Sequence, residues 1–418
     1  LPQKHEKKCV FFCIRGTFAK HFHLLNQIKM KRLFTLLLLA ICTMSCFAGW
    51  TDYTISFDGK ERSYTIYVPA MYNPAQPATF IVALHGLGGS MHDIDPTGIT
   101  QIADTANIII ASPQALDFAS PMGLIEAAWN NGIAVTVPGL GSIAVNADVD
   151  DAGFINAIMD TVLAHYTINP DRVYVCGMSM GGFMAQMLTC AFTDRFTAAA
   201  SLSGTYALAL PPCTPSKQIP VAHFHGTADE VVTYEGYTYF PVLGEVPVGL
   251  SVNDLIDQWT AINECSAVPE EVNIADANGD GISMDHYIYK NESGRSMVEL
   301  FRINGGAHAW YDVTATGGEF DYATEVWKFF NKQYHTMSIS SHDVLQLVNL
   351  YPNPASNVLY IQTAQKIKEA SIFDFIGKKI ADISLQDGST DISLLPNGIY
   401  FVKVHTDTGY GVAKFVKQ

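Results

Sequence analysis

From about residue 50 to 335, short apolar runs alternate with segments in which apolar positions recur every three to four residues. The runs at 79–84, 107–111, 172–176, 197–202 and 220–224 are nearly continuous, as in strands buried on both faces. Helical spacing marks 148–165, 182–191, 253–262 and 322–331. In the first of these, Phe154, Ile158 and Val162 share a face, and Asp148 or Asp150 can cap the start. Segments 53–57 and 64–68 alternate by twos and predict an antiparallel edge, and 287–290 and 297–303 predict a further strand pair. The whole pattern predicts an α/β fold: a mostly parallel sheet with helices on both faces over 49–335.

The texture changes near Thr336. A small, polar stretch at 336–344 reads as a linker, and the strand-like segments 345–351, 358–362, 370–375, 379–385 and 398–405 follow, separated by Pro, Gly, Asn and Asp turns. Residues 345–418 therefore predict a small β-sandwich domain. It contains no tryptophan, which makes a carbohydrate-binding sandwich an unattractive reading.

At the other end, Met30-Lys31-Arg32 precedes an apolar run from Leu33 to about Cys42, and Cys46-Phe47-Ala48 closes it. That is the layout of a secretory signal peptide over 30–48, with cleavage expected after Ala48. The run is shorter than the ~20 apolar residues a spanning helix needs. Residues 1–29 do not belong to such a signal and read as sequence upstream of a start at Met30. A lipoprotein reading through Cys46 lacks the usual aliphatic residue three positions upstream.

Composition adds two constraints. Hydrophobic residues make up 48% and charged ones 16%, so a large core can form and bulk disorder is excluded. The formal charge is −15, and residues 1–48 carry eight basic side chains against one acidic, so 49–418 sit near −22. A surface that acidic argues against nucleic acid or an anionic membrane as partner. Four cysteines lie beyond the expected cut: Cys176, Cys190, Cys213 and Cys265. Cys176 and Cys190 read as buried small hydrophobes. Cys213 and Cys265 sit in polar, loop-like surroundings and are the expected disulfide, which an oxidising compartment permits. None shows zinc spacing.

The candidate chemistry begins at Gly177-Met178-Ser179-Met180-Gly181. An apolar strand precedes this G-x-S-x-G and a helix follows, the context of a nucleophile elbow that lifts a serine hydroxyl above a sheet. A serine needs a base, and the base an orienting carboxylate, in the chain order Ser, acid, His for this fold. Asp229 follows the 220–224 strand in His225-Gly226-Thr227-Ala228-Asp229, at the end where such sheets place their chemistry; Glu230 is its competitor. His308, in Asn304-Gly305-Gly306-Ala307-His308, is the candidate base. Leu84-His85-Gly86-Leu87-Gly88-Gly89 follows the first long strand, so the Leu87 and Met180 N–H groups form the expected oxyanion hole. His85 is expected to shape that loop, and His223 and His225 to be satisfied within the core.

The stretches LHGLGGS (84–90), DRVYVCGMSMGG (171–182), FHGTADEVV (224–232) and GGAHAW (305–310) together resemble the polyhydroxybutyrate depolymerase and feruloyl esterase branch of the α/β-hydrolases, which includes family 1 carbohydrate esterases. The resemblance covers about 50–335, with the motifs in family order. It implies Ser179 as nucleophile, Asp229 as orienter and His308 as base, with no metal or organic cofactor. Trp310 matches the family pattern and, with Trp129, is an expected substrate contact. The segment 233–250, with Tyr234, Tyr237, Tyr239 and Phe240, carries no readable signature.

Two further signals remain. Asp276-Ala277-Asn278-Gly279-Asp280-Gly281 copies half of an EF-hand loop, but position 12 would be Tyr287 and no helix flanks it, so a polar hairpin turn is expected. In the last domain, Tyr351-Pro352-Asn353-Pro354-Ala355, Ile372-Phe373-Asp374-Phe375-Ile376-Gly377-Lys378, Leu395-Pro396-Asn397-Gly398-Ile399-Tyr400-Phe401 and a terminal Lys414-Phe415-Val416-Lys417 resemble the type A sorting domain of the type IX (Por) secretion system. That resemblance implies passage through the periplasm, export across the outer membrane, and removal of residues 345–418 by the secretion machinery, the product being released or surface-attached. The expectation is a secreted serine esterase acting on feruloyl or acetyl esters of plant cell-wall xylan. A polyhydroxyalkanoate depolymerase, a serine peptidase and an inactive surface-binding module are the alternatives.

Overall fold

The computed structural model describes residues 49–119, 125–139, 141–240, 243–337, 348–363, 366–374, 379–383, 388–406 and 410–418. The expected signal peptide, most of the expected linker and Ile376-Gly377-Lys378 lie outside them. Two compact units divide near residue 334.

The first unit is built on ten strands: β1 (Gly49–Phe57), β2 (Lys60–Val68), β3 (Ala78–Leu84), β4 (Ile108–Pro113), β5 (Ile168–Met178), β6 (Ala198–Leu202), β7 (Val221–Gly226), β8 (Glu270–Ile274), β9 (Ser283–Lys290) and β10 (Ser296–Asn304). Their order is β1-β2-β4-β3-β5-β6-β7-β10-β9-β8. The inner strands from β4 to β10 are parallel, while β1 and β2 at one edge and β9 and β8 at the other are antiparallel. Five helices cover the sheet: α1 (Ile99–Ala106), α2 (Asp151–His165), α3 (Met180–Ala191), α4 (Val252–Ile262) and α5 (Tyr322–Met337).

The continuous apolar runs are explained by two cores. Alternate residues of β3 point opposite ways: Phe80, Val82 and Leu84 join a core with Phe154, Met184, Leu188, Leu255 and Trp259, while Ile81 and Ala83 join another with Ile99, Ala103, Val326, Phe329 and Phe330. Every residue of β3 is thus buried. At roughly 1.5–3 kcal/mol per large apolar side chain, this double burial drives the fold. Asp150 caps α2 by accepting from Gly153 N (2.7 Å). Beside it, the buried Asp151 pairs with the equally buried Arg62 (2.6 Å), tying α2 to β2.

Several elements are additional to the sequence-based expectation. Helix α1 is short and polar on its outer face. Strand β8 is almost wholly exposed, so it has no apolar signal. Short antiparallel strand pairs join 117–119 to 125–127, 134–137 to 141–144 and 237–240 to 244–247. The disulfide expectation is corrected: Cys213 bonds Cys190, not Cys265, with Cα atoms 5.5 Å apart. The pair ties the last turn of α3 to the loop that leads into β7, while Cys176 and Cys265 stay free.

The C-terminal unit has two antiparallel sheets. One orders Asn349–Tyr351, Val358–Gln362 and Ser389–Asp391; the other orders Lys379–Asp382, Ile367–Asp374, Gly398–Thr406 and Tyr410–Lys417. Leu359, Ile361, Ile372, Val402, Val404 and Phe415 form the core between them.

Peptide mapping without reduction should recover a Cys190–Cys213 cross-link. Cys213→Ala should lower unfolding stability by about 2–4 kcal/mol, the usual effect of losing a native disulfide, whereas Cys265→Ala should have little effect.

Candidate active site

Ser179 sits at the turn between β5 and α3 with φ 56° and ψ −123°, a conformation that L-residues seldom adopt. Its N–H bonds Leu202 O (2.7 Å) on β6, and its C=O accepts from Phe183 N (3.1 Å), the first bond of α3. The turn requires bare backbone around it. A Cβ on Gly177 would lie 2.3 Å from Gly181 O, one on Gly181 2.2 Å from Leu84 O, and one on Gly204 2.2 Å from Ser179 O. The glycines of the motif are therefore there for close approach, and the hydroxyl stands at the N-terminus of a helix.

Two loops beyond β7 and β10 carry the acid and the base. They are fastened by Thr227 N to Ile303 O (2.9 Å), Ala228 N to Gly306 O (2.9 Å) and Gly305 N to Thr227 Oγ1 (2.9 Å). This brings His308 Nδ1 to 2.8 Å from Asp229 Oδ2. The other Asp229 oxygen accepts from Val231 N and Val232 N, both at 2.9 Å. Burial raises the Asp229 pKa, but its interactions with His308 and with the Val232 N–H act the other way, and the pKa is held below the ordinary value. The competing Glu230 is exposed to solvent. Ser179 and His308 line the same cavity without a hydrogen bond between them, a looseness usual before substrate arrives.

That cavity measures about 290 Å³. Leu87, Ile94, Met178 and Trp310 give it apolar walls, and Ser112 and Cys176 also line it. Gly86 approaches so closely that a Cβ there would be 3.4 Å from Ser179 Cβ. The Leu87 and Met180 N–H groups have no acceptor among the described residues; Met180 directly follows Ser179, and Leu87 lines the same cavity. The loop behind them is held by His85, as expected. Ala115 N donates to His85 Nε2 (3.1 Å), which leaves Nδ1 to donate to Gly86 O (2.7 Å). Burial lowers the His85 pKa, consistent with this neutral form.

Trp310 reaches the cavity and donates from Nε1 to Thr97 O (3.2 Å). Trp129 does not. It is fully buried and donates from Nε1 to His85 O (2.9 Å), so it braces the loop after β3, and its expected role as a substrate contact is corrected. Asn131 Nδ2 similarly holds Met180 O (3.0 Å). Ile94, Thr97, Ser112 and Asn131 were not legible, because the segments that carry them have no motif. In 276–281, Asp276 accepts from Gly279 N (2.6 Å) and Gly281 N (2.9 Å), which makes the segment a self-bonded turn. No cluster of three or more His, Cys, Asp or Glu suited to a metal occurs among the described residues.

An apolar-stranded sheet whose central strand ends in this elbow, with acid and base on loops after later strands, is the α/β-hydrolase arrangement. Comparison with known proteins agrees. Residues 68–240 match the phospholipase/carboxylesterase family, and residues 349–418 match the secretion system C-terminal sorting domain. The chain is 27% identical to feruloyl esterase B of Piromyces equi over 252 residues, 59% of this chain and 42% of that one. It is 26% identical to a putative esterase of Nocardia uniformis subsp. tsuyamanensis, covering 66% and 77% of the two chains. Poly(3-hydroxyalkanoate) depolymerase C of Paucimonas lemoignei is 23% identical, at 55% coverage of each. An acetyl xylan esterase from Aspergillus awamori superposes with a TM-score of 0.45 at 13% identity, covering 68% of this chain and 99% of that one, a likeness too slight to add to the assignment. Residues 68–240 thus carry the phospholipase/carboxylesterase match on an α/β-hydrolase fold, and the chain is similar in sequence to feruloyl esterases and a polyhydroxyalkanoate depolymerase. It spans under half the length of the Piromyces relative. Its last domain is a type IX secretion sorting domain, which addresses it to the cell surface or the medium.

Replacing Asp229 by Asn should cut ester turnover by about 10³- to 10⁴-fold through loss of the correct imidazole tautomer, with Glu230→Gln nearly silent. Because the folded pKa of Asp229 lies below that of the unfolded chain, its ionised form contributes stability above the unfolded value, and this is lost as pH falls through the folded one. Denaturant titrations should therefore show the stability gap between the native chain and Asp229→Asn narrowing below about pH 4, near the unfolded carboxyl value.

Proposed function

We propose that this is a secreted serine esterase that hydrolyses carboxylic esters through Ser179, His308 and Asp229. The observation that carries the reading is the convergence on one cavity of a strained serine at a helix N-terminus and a histidine bonded to a buried carboxylate. Ser179 Oγ attacks the ester carbonyl while His308 Nε2 takes its proton. Asp229 holds the imidazole by Nδ1 and stabilises its cation. The N–H groups of Leu87 and Met180 receive the oxyanion, and the proton passes from His308 to the leaving alcohol. Water, activated by the same histidine, then releases the acid from the acyl-enzyme. These steps need only the chain's own residues.

For substrate we propose feruloyl or acetyl esters of plant cell-wall xylan. The similarity to feruloyl esterase B supports this, and so does the cavity, whose apolar walls suit a flat acyl group. The second reading, a polyhydroxyalkanoate ester, is favoured by the similarity to the Paucimonas depolymerase. The partner proposed for residues 345–418 is the type IX secretion machinery.

Ser179→Ala should abolish hydrolysis of methyl ferulate, acetylated xylan and 4-nitrophenyl esters by the full chain, since loss of the nucleophile removes most of the rate. Retained activity in that variant would falsify the assignment. If only a 3-hydroxybutyrate oligomer is cut, the mechanism stands and the second substrate reading replaces the first. If a peptide amide alone is cut, the enzyme is a peptidase. Protein recovered outside the producing cell should end near residues 336–345 by mass spectrometry, and an intact Gln418 there would contradict processing of the sorting domain.

A further inference from the structure

Beneath the acid loop runs a line of buried polar groups that the proposed chemistry does not use. Trp259 Nε1 on α4 lies 2.7 Å from Gln186 Oε1 on α3, and Gln186 Nε2 lies 2.6 Å from Ser201 Oγ on β6. Ser201 Oγ is 2.7 Å from His223 Nδ1, and His223 Nε2 is 3.0 Å from His225 Nδ1, both histidines being on β7. His225 Nε2 is 2.8 Å from Val232 O and 3.6 Å from Asp229 Oδ2. All five side chains are at most 2% exposed.

The two ends of this line fix where every proton lies. An indole N–H can only donate, so Gln186 accepts through Oε1 and donates through Nε2. A carbonyl can only accept, so His225 carries a proton on Nε2 and, as a neutral ring, presents a bare Nδ1. His223 must then donate from Nε2 and accept on Nδ1, and the Ser201 hydroxyl completes the line. Each group donates toward the acid loop, and both histidines are neutral. Adding a proton to either would set two N–H groups facing each other, or an N–H against a hydroxyl already committed. Burial lowers the pKa of His223 well below the usual value, and lowers that of His225.

Val232 is where the line meets the proposed site. Its carbonyl accepts a hydrogen bond from His225 Nε2–H, and its N–H donates to Asp229 Oδ1 (2.9 Å). We infer that His225 is a positioning residue for Asp229: in its neutral Nε2–H form it anchors the acid loop to the nucleophile helix through His223, Ser201 and Gln186. The inference rests on the assignment of Asp229 and His308 made above. The other titratable and charged groups facing His225 are Asp229, His308, Glu235 and His223, with Tyr234 packed edge-on at 5.7 Å and Arg302 opposite it on β10.

The test has two arms. Nitrogen-15 spectra of the full chain should report His223 and His225 as neutral Nε2–H tautomers across the pH range of activity. Either ring found as the Nδ1–H tautomer, or as a cation, overturns the proton order whatever the enzyme turns over. Kinetics on a 4-nitrophenyl ester then test its purpose. His225→Leu should lower kcat about tenfold, the scale of one buried hydrogen bond, with KM little changed. It should also move the acidic limb of the kcat/KM profile to lower pH, because a displaced Asp229 stabilises the imidazolium less. His225→Gln, which can still donate to Val232 O, should recover much of both. A fall in kcat with the acidic limb unmoved would make His225 merely structural and overturn the proposal, as would an unchanged His225→Leu. Should that variant not fold, His225→Gln serves instead: a native pH profile and a native downfield resonance from the His308 Nδ1 proton are expected, and loss of that resonance would contradict the anchor. Absence of turnover in the native chain itself would count against the esterase reading and leave the tautomer result standing.

Discussion

At one point of this chain three backbones and a helix end must pass within contact distance of one another. Ser179 has a positive φ because β5 has to reverse directly into α3. Gly177, Gly181 and Gly204 permit the turn only because none presents a Cβ to the carbonyls of Gly181, Leu84 and Ser179. Backbone strain of this kind costs about 1–3 kcal/mol and persists only where the surroundings over-determine it. Here the surroundings are β3 and β6 on either side of β5, and two cores that bury both faces of the sheet. The proposed oxyanion donors depend on the same turn, since Met180 opens α3 and Gly86 lies against Ser179.

The rest of the site is assembled outward from that constraint. Parallel strands bring the loops after β3, β5, β7 and β10 to one end of the sheet. Each loop is then fixed by a different device. His85 and Trp129 hold the first, the glycine contacts the second, and the Thr227, Ala228 and Gly305 bonds fasten the third to the fourth. The buried line from Trp259 to Val232 adds a connection from below, between the nucleophile helix and the acid loop. Apart from the glycine contacts these devices are hydrogen bonds, and those made in the interior are costly to leave unmade.

What was legible in the sequence follows from the range of the forces involved. Doubly buried strands read as apolar runs, and the elbow read as glycines around a serine because its steric demand is local. Asp229 and His308 were legible because strand ends mark where loops converge, and the geometry brings Asp229 rather than Glu230 to the histidine. Elements with weak local signals were missed: α1 is only eight residues long, and β8 has an exposed face on both sides. The cysteine pairing failed because it depends on where the loop before β7 returns, a tertiary fact, and a helical Cys190 looks like any small core residue. Trp129 misled for a related reason. An indole beside a loop can face a cavity or brace the loop from within, and only its bond to His85 O distinguishes the two.

A phosphonofluoridate probe, which phosphonylates activated serine hydroxyls, tests the account most directly. Incubated with the full chain and followed by peptide mass spectrometry, it should add one equivalent, carried by the peptide containing Ser179, with ester turnover falling in step. Turnover that survives full exposure to the probe, or labelling at another serine with Ser179 unmodified, would contradict the account.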